Sequence, residues 1–193
     1  MSPELIVALL AAAVQAAAPI LYATLGEILS EKGGVLNLGV EGVMALSAFA
    51  AFITCYLTGS AVLGLLAGGV AGALLCGLHA LVCQVFLGNQ VVSGLALTIF
   101  GVGLSNFLGT PYVGQGTNGF HQFAVPWLAD IPVLGPVLFR QDAMVYLAYA
   151  APVAVWFLLN RTSLGLGLRA TGEMPAAAAA AGLNPQRLRA FGV

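Results

Sequence analysis

Five long apolar runs, at 5–25, 35–57, 61–87, 91–109 and 143–159, dominate the chain and are separated by shorter polar, glycine-rich or proline-rich stretches. A helix needs about 20 apolar residues to cross the hydrocarbon core of a bilayer, and each run is close to that length. Strands are the wrong reading, because an isolated strand leaves its amides unpaired in lipid and the alternation of a membrane barrel is missing. The pattern therefore predicts an all-α fold, a polytopic integral membrane bundle forming a single domain over 1–193.

The first run starts almost at Met1, and Ala16 to Ala18 imitate a signal-peptidase site. No Lys or Arg precedes it, however, and the run continues past Pro19 for a full bilayer thickness, so it reads as a retained first span. The longest connection, 110–142, carries Pro111, Pro126, Pro132 and Pro136 together with Tyr112, Phe123, Trp127 and Phe139. Prolines forbid a long helix there and aromatic rings favour the interface. Short helical pieces lying at the outer surface or plugging the outer mouth of the bundle, or else a plain interfacial loop, are expected. Gly64, Gly68, Gly72, Cys76 and Ala80 form a ridge of small residues along span three, and Gly101, Ser105 and Gly109 repeat it in span four. Such ridges let helix backbones approach closely.

Composition agrees with a lipid solvent: 60% of the 193 residues are hydrophobic and 7% charged, against roughly 25% charged in soluble domains. Of the six basic residues, Arg161, Arg169, Arg187 and Arg189 follow span five, which marks 160–193 as cytoplasmic. Counting back places the amino terminus outside, Lys32 inside, and only Arg140 on the outer face, as in the inner membrane of a bacterium. No basic stripe suits nucleic acid. Cys55, Cys76 and Cys83 sit in apolar runs without the spacing of metal ligands or a redox pair, and read as packing residues.

Several motifs fail on context. Gly114-Gln-Gly-Thr-Asn-Gly119 matches the dinucleotide fingerprint, which functions only between a strand and a helix, not in a proline-rich loop. No glycine-lysine pair exists to form a phosphate-cradling loop, so ATP-driven work requires a separate ATPase chain and no cofactor is expected in this one. His79 and His121 share no ligand spacing, and a lone membrane histidine reads as a hydrogen-bonding partner of a neighbouring helix.

The polar residues that matter lie between spans one and two. Glu27, Asn37 and Glu41 fall at or inside the bilayer boundary, where a central carboxylate costs at least about 2.5 kcal/mol and must face a cavity, a partner helix or a solute path. Asn37 and Glu41, four apart, are expected on one helix face. Gly33, Gly34, Gly39 and Gly42 weaken a continuous helix, which predicts a broken or re-entrant lead-in to span two. Glu41 then has two readings, a brace for backbone amides freed by the break or a pathway residue.

This stretch also carries a resemblance. Glu31-Lys-Gly-Gly-Val-Leu-Asn-Leu-Gly-Val-Glu-Gly42 resembles the opening of permease subunits of ATP-binding-cassette importers of the branched-chain amino acid and simple-sugar class, most closely the nucleoside and simple-sugar branch. Val91-Val-Ser-Gly-Leu-Ala-Leu97 is similar to the family's next conserved helix. Gly167-Leu-Arg-Ala-Thr-Gly-Glu-Met-Pro-Ala-Ala177 is similar to its cytoplasmic coupling loop. The resemblance implies that Arg169, Ala170, Gly172, Glu173, Pro175, Ala177, Ala178 and Gly182 belong to a short helix and its flanks that dock on the ATPase. The chemistry suits a helix: Pro175 starts it, Ala176 to Ala181 continue it, Gly182 ends it, and Glu173 lies near the positive end of its dipole. Met174 departs from the polar residue usual in the family.

The resemblance further implies four kinds of partner: a cytoplasmic ABC ATPase subunit, a second permease chain or copy, an extracytoplasmic solute-binding protein and the small-molecule solute, all beside membrane lipid. A nucleoside or simple sugar is the first expectation for the solute and a branched-chain amino acid the second. The family continues into further helices past the position of Val193, so a partial sequence is expected. The rivals are an ion-coupled secondary transporter using Glu27 and Glu41, and a non-transporting membrane scaffold or inert fragment.

Overall fold

The computed structural model describes residues 2–193. The helices are α1 (Pro3–Lys32), α2 (Val40–Thr58), α3 (Ala61–Gln84), α4 (Gln90–Gly109), α5 (Leu134–Leu138), α6 (Ala143–Arg161), α7 (Ser163–Glu173), α8 (Pro175–Ala180) and α9 (Pro185–Gly192). The two short strands are β1 (Gln122–Ala124) and β2 (Arg140–Asp142). Among the described residues five helices, α1, α2, α3, α4 with the turn that follows it, and α6, are long and apolar enough to cross a membrane. The chain divides into two compact units, one formed by the chain up to Leu25 with Phe120–Trp156, the other by Gly26–Gly119 with Phe157–Val193.

In the first unit, Ala18, Val145 and Ala148 form a small core with Val14 and Leu21 against it. The expected short helical pieces of 110–142 are only part of what is there. Thr110–Tyr112 is a 3-10 turn and α5 a single turn, but β1 and β2 pair antiparallel with Phe123 opposite Gln141. Strand pairing gives this proline-broken stretch backbone partners that a helix could not supply. Gln141 is fully buried, and its Nε2 donates to the Val137 carbonyl at 2.7 Å. Asp142 ends the strand and starts α6, its Oδ1 accepting from the amides of Met144 at 2.9 Å and Val145 at 3.0 Å. This is ordinary N-capping.

In the second unit the element ends follow from their caps. Ser60, Asn89, Thr162 and Asn184 accept amide hydrogen bonds at the starts of α3, α4, α7 and α9. Span one runs seven residues beyond the expected 5–25, to Lys32, passing through Gly26 as helix and stopping at the Gly33-Gly34 pair. There Gly34 adopts φ 79°, the Gly34 amide donates to Glu31 O at 2.9 Å and the Val35 amide to Ser30 O at 3.1 Å. A left-handed residue followed by these two bonds is the Schellman stop. Span two correspondingly begins at Val40 rather than 35. Span three ends at Gln84, short of 87, where Leu87 turns to φ 53°.

The small-residue ridges do what their spacing predicts. A Cβ added at Gly64 would lie 2.7 Å from Ala51 O, and one at Gly68 or Gly72 would lie 2.9 Å from Ser47 atoms, so α3 packs backbone-close on α2. A Cβ at Gly101 would strike Gly42, and one at Gly42 would strike Leu97 O, so α4 meets α2 with no side chain between them. Outside these contacts the large residues face away from the protein, with Leu74 69% and Ile99 76% exposed. Glycine inside and leucine outside reverses the soluble pattern and is the arrangement lipid demands. The chain is a multi-pass membrane protein.

Candidate functional site

Between α1 and α2, residues 33–39 are not helical. Non-helical backbone lacks the intrahelical partners of its polar groups, and here side chains from three helices supply them. Ser30 Oγ donates to Val35 O at 3.0 Å. Gln90 Oε1 accepts from the Leu36 amide at 2.8 Å, and Glu27 Oε1 accepts from the Asn37 amide at 3.1 Å. Asn37 Oδ1 accepts from the Gly39 amide at 2.9 Å. On the carbonyl side, His79 Nε2 lies 3.1 Å from Leu36 O and Thr98 Oγ1 donates to Leu38 O at 2.9 Å.

His79 is 1% exposed and its second ring nitrogen, Nδ1, lies 3.0 Å from Ser93 Oγ. A carbonyl oxygen can only accept, so Nε2 carries a proton, and in the neutral ring Nδ1 accepts from the serine hydroxyl. One imidazole thus joins α3, α4 and the broken segment.

The sequence-level site residues separate in this frame. Glu27 and Asn37 come together, but Asn37 and Glu41 do not share a helix face as their spacing suggested. Asn37 lies before α2, because its side chain caps Gly39 and its own amide is held by Glu27, and α2 starts only at Val40. Glu41 is exposed in the first turn of α2, where a carboxylate suits the positive end of the helix dipole. The freed amides are braced by Gln90 at Leu36, by Glu27 at Asn37 and by Asn37 at Gly39. Ser30, His79, Gln90, Ser93 and Thr98 were not singled out as a set. Their signal was available: each is a polar residue in or at the edge of an apolar run, and two of them, Ser93 and Thr98, lie in or next to the similar stretch 91–97.

Replacing Glu27 by Gln is expected to leave thermal stability in detergent unchanged, since the amide oxygen still accepts from Asn37. Glu27→Ala is expected to lose about 1 kcal/mol. Equal melting of the two variants would show that this carboxylate does not hold the segment.

After α6 the chain makes three shorter helices. The α8 helix begins with Pro175 at its first position and stops where Gly182 takes φ 84°. Its end has the same two bonds as α1, Gly182 amide to Ala179 O and Leu183 amide to Ala178 O, both 3.0 Å. The eight residues carried over from the resemblance face different ways. Glu173, Ala177 and Gly182 are exposed, Arg169, Ala170, Gly172 and Pro175 are half-buried, and Ala178 is buried. Gly172 packs inward, where an added Cβ would strike Lys32 O. From α9, Arg189 Nε donates to Gly33 O at 3.3 Å. Gln84 at the end of α3, with its amide turned to satisfy both contacts, donates to Gln186 O at 2.9 Å and accepts from the Ala190 amide at 3.3 Å.

Residues 8–193 match the family described as branched-chain amino acid transport system, permease component. Among curated proteins, the chain is 42% identical over 189 residues to an ABC transporter permease protein of Haloferax volcanii provisionally named for glucose, covering 96% of this chain and 57% of that protein. It is 35% identical over 192 residues to the guanosine ABC transporter permease protein of Bacillus subtilis, covering 92% and 59% respectively. It is 33% identical over 186 residues to the nucleoside ABC transporter permease protein of Lactococcus lactis, covering 91% and 59%. The chain thus spans less than two thirds of the length of these relatives. No solved structure matches it.

Proposed function

Because this chain belongs to the family of branched-chain amino acid transport system permease components, we propose that it forms part of the transmembrane path of an ATP-binding-cassette importer. The observation that carries this reading is α8, a short helix whose alanines 176, 177, 179 and 180 are exposed, within a segment the family match includes. In this reading a cytoplasmic ATPase receives α8, so that 160–193 is cytoplasmic, the amino terminus lies outside, and the membrane is the inner membrane of a bacterial-type cell. A second permease chain or copy completes the path, and an extracytoplasmic binding protein delivers the solute. ATP hydrolysis in the partner favours one of two bundle arrangements, and docking of α8 links the two equilibria.

A nucleoside or simple sugar is the favoured solute, supported by the names of the relatives, with a branched-chain amino acid as the alternative. Glu41, an exposed carboxylate on a spanning helix, requires polar surroundings, and the solute path or the second permease chain supplies them. An ion-coupled carrier is disfavoured because Glu27, one of its two carboxylates, is already engaged by the Asn37 amide.

The test is co-purification of a nucleotide-binding subunit from membranes that express the permease with its neighbouring genes, followed by ATPase assay with and without the binding protein. Stimulated hydrolysis is expected, and uptake driven by a proton or sodium gradient without any ATPase would overturn the reading. A glycine pair at Ala177 and Ala178 weakens α8 by about 1 kcal/mol per residue. That variant is expected to hydrolyse ATP with reduced uptake per ATP.

A further inference from the structure

The broken segment is gripped from two sides. On one side Glu27, His79, Gln90 and Thr98 hold residues 36–38. On the other, α7 and α9 hold residues 32–34. A Cβ added to Gly34 would lie 3.0 Å from Gly172 Cα, 3.3 Å from Gly172 O and 3.4 Å from the Arg189 guanidinium. Leu168, fully buried, places its Cδ1 3.1 Å from a Cβ added at Gly33. The Arg189 side chain closes the contact through its bond to Gly33 O. Packed interiors transmit displacement rather than absorb it, and no flexible side chain intervenes where Gly34 meets Gly172.

We infer that Arg189 is a positioning residue for coupling: with the Gly34–Gly172 contact, it ties the helices flanking α8 to the broken segment, so that α7, α9 and residues 32–39 move as one body. The inference rests on the importer reading, and it names a route that docking of α8 by itself does not. A bundle rearrangement driven at α8 then reaches α3 and α4 through residues 36–38, whose carbonyls and amides those helices hold. The competing role for Arg189 is purely structural, as a cation near the carbonyl end of α1.

The two roles separate in the assembled importer, with ATPase and binding protein present. Arg189→Ala is expected to keep basal ATP hydrolysis while binding-protein stimulation and solute moved per ATP fall about two- to thirtyfold. Arg189→Lys, which retains a donor, is expected to recover most of the loss. Gly34→Ala inserts a methyl group between Gly34 and Gly172 and is expected to lower the same ratio from the other side of the contact; it decides the matter if Arg189→Ala does not assemble. A wild-type assembly without stimulated hydrolysis would sink the importer reading itself. A normally stimulated wild type, with Arg189→Ala and Gly34→Ala melting earlier but keeping the full ratio, would leave the importer reading standing and overturn the relay.

Discussion

Gly101→Val is expected to remove the folded protein, seen as loss of the monodisperse peak after detergent extraction. A Cβ at Gly101 would strike the Gly42 carbonyl and lie against its Cα, and neither is the end of a movable side chain. The helices must part, and with them goes the Thr98 hydroxyl that donates to Leu38 O. Overpacking in an ordinary core costs about 1–3 kcal/mol, and a backbone-to-backbone crossing relaxes less than that. Gly103→Val on the same helix supplies the control. Nothing lies within 4 Å of a Cβ there, so it carries the same change in propensity and volume without the collision. If both variants behave alike, the α2–α4 crossing is not what holds this unit together.

His79→Phe is expected to produce the second large loss. It fills the volume but strips the Leu36 carbonyl of its donor and leaves the Ser93 hydroxyl without its acceptor. Each buried group left unmet costs about 1–3 kcal/mol. Hydrogen bonds between membrane helices average only about 0.6 kcal/mol, because disrupted groups find other partners. Leu36 O belongs to non-helical backbone, where the intrahelical alternative does not exist. The midpoint of thermal unfolding should therefore fall further for His79→Phe than for Ser93→Ala, which spares the Leu36 bond. Faster amide exchange at 36–39 in His79→Phe should accompany the fall. Identical midpoints for the two variants would place the histidine's contribution elsewhere.

The membrane character was legible because hydrophobic run length is a direct consequence of bilayer thickness, and the five runs needed no tertiary knowledge. The helix crossings were legible for a related reason, since a glycine every four residues has few uses in lipid other than close approach. The hairpin of β1 and β2 was not legible, because three-residue strands carry no period to read. The relation between Asn37 and Glu41 was misread because spacing of four implies a shared face only inside a helix. Whether Asn37 is inside depends on Glu27 and Gly39, one of them ten residues away. His79 illustrates the remaining gap: its type and setting suggested a bond to another helix, but its partners, Leu36 and Ser93, belong to segments that only the fold brings together.

The α8 helix consists of one proline and five alanines, and this composition has a consequence for any protein that receives it. Its exposed side chains are methyl groups, which form no ion pairs and no side-chain hydrogen bonds. Recognition must then rest on shape and on the path of the backbone. The helix itself adds nothing salt-sensitive to such an attachment, so any dependence on ionic strength falls to its flanks, where Glu173 is exposed. A partner would then tell this helix from another short alanine helix by fit alone.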